Sequence, residues 1–180
     1  DVPAPPPTGR RIAVLVGGFG STSDHAGIDG LDADGLGYAA DDVVRFSYRG
    51  GRTPAPEHAS GPLVALTAST YNAHDSQGDL DEAGTDLAAL LSEVARRQPG
   101  VPIDVFAHSQ GGLVTRLALD RAAEAGALPD EVDLVATFGT PHRGADAATL
   151  AAGLGGTPAG EGLLDAGAGV GLPVHPDQPA

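Results

Sequence analysis

The segment Ala107-His108-Ser109-Gln110-Gly111-Gly112 sets a serine among small residues, between a continuous apolar run and an amphipathic stripe. A serine on a sharp strand-to-helix turn is held in strained backbone geometry with its hydroxyl pushed outward. Small residues two before and two after it keep such a turn free of clashes, and Ala107 and Gly111 meet that need. The turn also aims the Gln110 N–H and the positive end of the following helix at the space above Ser109, which suits an oxyanion. The chemistry implied is nucleophilic attack by Ser109 on an acyl carbon. A bare small-x-Ser-x-Gly string is usually only a glycine-rich loop before a helix, and it is the strand–turn–helix context that favours the nucleophile.

Composition narrows the alternatives. The chain has 180 residues, the size of one domain with one core and one site. Its 24 acidic residues against 10 basic ones give a formal charge of −14, which repels nucleic-acid phosphates and anionic membrane surfaces. Every basic residue is Arg, so phosphate-loop, Schiff-base and kinase-type lysines are excluded. Without Cys there is no disulfide, thiolate nucleophile or metal-thiolate site. The sequence opens on Asp1 and lacks Met, which points to a processed or trimmed product. Removal of a secretory signal would place it outside the cell, with a cytoplasmic location the alternative. No run of about eighteen apolar residues is long enough to span a membrane.

Four short runs read as strands that position the serine: Ile12 to Val16, Val43 to Tyr48, Ile103 to Ala107 and Val132 to Phe138. Residues 1–10, with four prolines, form an extended lead-in. Leu80, Leu87, Leu91 and Val94 define one helical stripe and predict a helix from Asp81 to Arg97; Leu113, Val114, Leu117 and Ala118 define a second, ending near Ala125. Strands alternating with helices predict an α/β fold, a mostly parallel sheet with both faces covered and its ligands at the carboxyl ends of the strands. Residues 49–79 form a long polar connection of the kind that is functional or flexible.

With the elbow in this setting, the chain resembles the α/β-hydrolases, close to the bacterial lipases and esterases and to the family related to the GPI inositol-deacylases. Phe138-Gly139-Thr140-Pro141-His142-Arg143-Gly144 resembles the segment after the sixth strand of these lipases. The resemblance covers residues 11–146, implies a three-layer sandwich, and leaves 147–180 as a cap-like or disordered small-residue segment. It places Gly17-Gly18-Phe19-Gly20 where these enzymes carry a His-Gly-x-Gly oxyanion loop, with Gly17 replacing the His. Glycines there let backbone N–H groups approach a reacting carbonyl, so the Phe19 and Gln110 N–H groups are the expected oxyanion pair. The implied activity is cleavage of carboxylic esters, with a lipid or other small ester as substrate and no cofactor required. A non-catalytic binding protein or an inactive fragment on the same fold is the alternative.

In this family the acid and the histidine follow the serine in the order Ser, Asp or Glu, His. Asp165 and His175 have that order but lie in a Gly/Ala-rich stretch. The expectation is that the chain stops before the last strands of the fold and that the true acid and base lie outside it. Truncation would leave an uncovered strand edge and lead to association. By the resemblance, His142 belongs to the wall of the site rather than acting as base, and His108 orients the turn. His25 and His58 read as solvated, whereas His74, with Asp75, is a candidate for the substrate cleft beside Gly18. Asp29 to Asp41 departs from a calcium-loop template and reads as an acidic surface loop, so no metal is expected.

Overall fold

The computed structural model describes residues 9–142. Its strands are β1 (Ile12–Val16), β2 (Val43–Arg45), β3 (Ile103–His108) and β4 (Val132–Phe138), all parallel in the spatial order β2-β1-β3-β4. Two helices, α1 (Leu80–Arg97) and α2 (Gln110–Glu124), complete the regular elements. The expected parallel α/β sheet is present, and both helices lie where the apolar periodicity puts them.

β1 is central and buried throughout, so its residues alternate between two cores. Ile12, Val14 and Val16 face α1 and α2 together with Val105, Leu87, Leu91 and Val114. Ala13 and Leu15 face the opposite side, where Ala26, Ile28, Tyr38 and Phe106 cover the sheet. Apart from Phe106, which belongs to β3, that second layer comes from the irregular 21–42 connection with its short 3₁₀ turn at Gly27–Gly30, so among the described residues one face carries the helix pair and the other a loop.

α1 starts because the Asp79 carboxylate accepts the Asp81 N–H at 2.7 Å, with Asp81 and Glu82 in its first turn and Arg96 and Arg97 in its last. It lies so close to α2 that a Cβ on Gly84 would come within 2.9 Å of the Leu117 Cβ. At the far end of the strands from Ser109, the buried Asp104 accepts from Arg11 Nε at 2.6 Å and from the Tyr38 hydroxyl at 2.6 Å. Arg10, at the end of the Pro-rich lead-in, pairs with Asp42 at 2.8 Å and adds a tie that composition did not show.

β2 is shorter than the apolar run Val43 to Tyr48. Gly50 and Gly51, at φ +79° and +69°, let the chain reverse, and Phe46 pairs antiparallel with Arg52. The 49–79 connection packs onto the core. Leu63, Leu66 and Tyr71 enter the main core, and the buried Arg52 guanidinium donates to the Thr53 and Leu63 carbonyls. The carboxylates of the acidic loop accept backbone N–H groups, Asp29 from Ala26, Asp32 from Gly35 and Asp41 from Ser60 of the following connection. Among the described residues β2 and β4 are the two sheet edges, and Leu134, Val135 and Phe138 of β4 are exposed.

Candidate active site

The pairing of Val16 with Ala107 sets the carboxyl ends of β1 and β3 side by side, so the loop at Gly17 and the turn at Ser109 emerge together. Ser109 sits between β3 and α2 at φ 54°, ψ −126°, the one non-glycine residue with positive φ among those described. A β-substituted residue in that region costs roughly 1–3 kcal/mol, and the surroundings must impose it. They do so at three points. The Ser109 N–H donates to the Phe138 carbonyl at 2.8 Å, the Thr140 hydroxyl donates to the Ser109 carbonyl at 2.9 Å, and the Gly112 N–H donates to the same carbonyl at 3.1 Å. The Ser109 side chain makes no capping bond to α2, which leaves its hydroxyl free for chemistry.

The glycines around the turn are explained by what a side chain would strike. On Gly111 a Cβ would lie 2.5 Å from the Gly17 carbonyl oxygen and 2.7 Å from that of Val16; on Gly112 it would overlap the Thr140 hydroxyl. On Gly18 it would lie 2.9 Å from both the Ser109 Cβ and the His108 carbonyl oxygen. Gly18 therefore lies directly against the serine. Gly17, where the resembling lipases carry His, has no room for a side chain: a Cβ would meet the Ser21 hydroxyl at 2.8 Å and the Ala26 Cβ at 3.1 Å.

Among the described residues the Phe19 and Gln110 N–H groups donate to no protein acceptor, while the turn carrying Phe19 is closed by the Ser21 N–H on the Gly18 carbonyl at 3.2 Å. Hydroxyls from the 46–79 region hold this loop from beneath. Tyr48 donates to the Gly17 carbonyl at 2.6 Å, Tyr71 to the Ser21 hydroxyl at 3.1 Å and Ser76 to the Ser21 carbonyl at 3.0 Å. Sequence reasoning missed these three residues and Thr140. Thr140 had a signal, since it lies inside the Gly-Thr-Pro-His segment; Tyr48 closes a run read only as a strand, and Tyr71 and Ser76 sit in a connection without periodicity.

All three tyrosines of the chain ionise less readily than usual. Burial, helped by the bond to Asp104, pushes Tyr38 up to about 12. Burial also raises Tyr48 and Tyr71 above the ordinary value of 10.0. A group whose pKa is raised by folding adds stability that is complete below its unfolded pKa and is lost as pH rises through the folded one. The native chain is therefore expected to show little tyrosinate absorbance at pH 10, where an unfolded tyrosine is about half ionised. The absorbance should then rise together with unfolding, and an independent half-titration near pH 10 would contradict these environments.

The other expected site residues fall as follows. The half-buried His108 ring packs on Gly27, where a Cβ would approach it to 2.7 Å. His74 is exposed in a turn shaped by the Asn72 and Asp75 side chains, next in space to Ser76 but without a recorded bond to Ser109. His142 is exposed and its Nε2 lies 2.8 Å from the Thr137 hydroxyl, beside a shallow hollow of about 220 Å³ between α2 and β4. Asp165 and His175 lie outside the described residues.

A strained serine at a strand–helix junction, a glycine loop pressed against it and two unengaged N–H groups form an arrangement able to attack a carbonyl and hold the resulting oxyanion. Comparison with curated proteins gives no match. The family model described as alpha/beta hydrolase matches residues 5–160, most of the chain and all six regular elements. On this match, and with a parallel sheet that carries the serine at its carboxyl edge, the chain belongs to the alpha/beta-hydrolase family.

Proposed function

We propose that this hydrolase cleaves carboxylic esters through an acyl-enzyme on Ser109, with a lipid or other apolar acyl group as the substrate class. The observation that carries the reading is Ser109 itself, held at φ 54° with its hydroxyl uncommitted and Gly18 against it. The Ser109 Oγ attacks the ester carbonyl while a histidine accepts its proton, and the N–H groups of Phe19 and Gln110 hold the oxyanion. Collapse of the tetrahedral intermediate expels the alcohol, which takes the proton back from the histidine. Water then repeats the sequence on the acyl-enzyme and frees the acid. Asp165 and His175 are the acid–base pair in the chain with the family order, and Gly18, His74 and His142 are the substrate-side residues. The lipid preference rests on the likeness of the Gly139 to Gly144 segment to bacterial lipases.

A second reading, a binding protein on the same fold, is favoured by one fact: among the described residues no histidine ring is hydrogen-bonded to Ser109. Intact-mass detection of fluorophosphonate labelling separates the two. The expected result is one adduct per chain on the wild type and none on Ser109→Ala. Labelling lost in His175→Ala would then identify the base. No adduct on the folded wild-type chain would overturn the hydrolase mechanism for these 180 residues.

A further inference from the structure

Ser76 touches both halves of the oxyanion site. Its hydroxyl donates to the Ser21 carbonyl at 3.0 Å, and Ser21 closes the turn that carries Phe19. Its own carbonyl accepts the Gln110 side-chain amide, Nε2, at 2.9 Å, and Gln110 supplies the other oxyanion N–H. Ser76 is fully buried, and Gln110 and Ser21 nearly so, so these bonds do not compete with solvent. One hydroxyl proton serves two acceptors here, because the Ser76 oxygen also lies 2.9 Å from the Ala73 carbonyl, so its donation is shared between Ser21 and its own turn; the Asn72 and Asp75 side chains hold the neighbouring N–H groups of that turn.

From this geometry we propose that Ser76 is a positioning residue that sets the separation between the Phe19 and Gln110 N–H groups, with the Gln110 side chain as its second anchor. The inference rests on the ester-hydrolase reading for its catalytic meaning and on the bonds alone for its mechanical one. Without the bridge, the 17–21 loop keeps its ties to Tyr48 and Tyr71, and the elbow keeps its ties to Phe138 and Thr140, but nothing through residue 76 joins the two. Oxyanion donors act only when aimed at the position the charge will occupy, so a change in that separation lowers the rate of the chemical step and leaves ground-state binding alone.

The test uses the full chain with Ser76→Ala, Gln110→Met and the double variant. Two readouts are followed: amide hydrogen exchange, and hydrolysis of a short-chain p-nitrophenyl ester. The expected result is faster exchange at the Ser21 and Ser23 amides in both single variants, and at the Gly112 amide in Ser76→Ala, with the interior of α1 unchanged. The kcat falls on the order of 10²-fold at unchanged KM. Because both substitutions cut one bridge, the double variant is no worse than the poorer single one. Loosening confined to 73–78 in Ser76→Ala, or independent multiplicative losses, would overturn the bridge. If Ser76→Ala unfolds globally, Gln110→Met decides, since it removes only the side-chain anchor. Absence of hydrolysis by the wild type would count against the ester-hydrolase reading, and the exchange pattern would still decide the bridge.

Discussion

Gly18→Ala is expected to lower kcat on an ester substrate by roughly 10²- to 10³-fold while the folded state survives, the range seen when one oxyanion donor is lost. The added methyl would stand 2.9 Å from the Ser109 Cβ and the His108 carbonyl oxygen and 3.3 Å from His108 Nδ1. Those contacts are relieved by moving the 17–21 loop outward. The bonds from Tyr48, Tyr71 and Ser76 hold the loop at Gly17 and Ser21, so the shift is taken up between them, at the half-buried Phe19 and the exposed Gly20, where little packing is lost. The aim of the Phe19 N–H is lost instead. Chemical denaturation should therefore place Gly18→Ala within about 1 kcal/mol of the wild type. Full retention of kcat would show that the Phe19 N–H is not a donor to the reacting oxygen.

Gly111→Ala is expected to damage both fold and activity. Here the methyl would lie 2.5 Å from the Gly17 carbonyl oxygen, 2.7 Å from the Val16 carbonyl oxygen and 3.1 Å from the Val16 carbonyl carbon. All three belong to the backbone at the end of the central strand, and no side-chain rotation relieves them. Either α2 moves away from β1, opening the core at Val114 and Ala118, or the end of β1 bends and carries Gly17 with it. Overpacking of this kind costs on the order of 3 kcal/mol, read as a lower urea midpoint at an unchanged slope. The two glycines thus separate the site's requirements: Gly18 spares the aim of a donor, and Gly111 spares the approach of the helix that carries the nucleophile. A Gly111→Ala chain as stable as the wild type would show that α2 has more freedom over β1 than these distances allow.

Much of this was legible in the residues alone, for physical reasons that differ from element to element. β1 and β4 match their predicted runs end to end, β1 because a strand buried on both faces reads as a continuous apolar run and β4 because Gly139 ends it. α1 announces itself through its apolar stripe, whereas the Asp79 cap that starts it one residue earlier than expected is visible only in the structure. The strained turn at Ser109 was legible because strain at one residue demands small neighbours at fixed offsets, and Ala107 and Gly111 record that demand. β2 was overread: the turn at Gly50 and Gly51 cuts short a run whose composition stays strand-like to Tyr48.

What the sequence alone determined is the chemistry on offer: a serine on a turn after a buried strand, a glycine loop that lets backbone N–H groups come close, a parallel α/β sheet, and no thiol or lysine to compete. Local rules of periodicity, size and φ preference act within about ten residues, and each of these features is local. What only the tertiary structure decided is the support of the site. Tyr48, Tyr71, Ser76 and Thr140 reach the serine's turn or the glycine loop across separations of roughly 30 to 55 residues. The crowding at Gly17 comes from closer in the chain, from the Ser21 and Ala26 side chains, but it too is set by how the loop folds back over the glycine rather than by any periodicity. Such contacts leave no periodic trace, because a hydroxyl that meets one backbone carbonyl needs only a position in space.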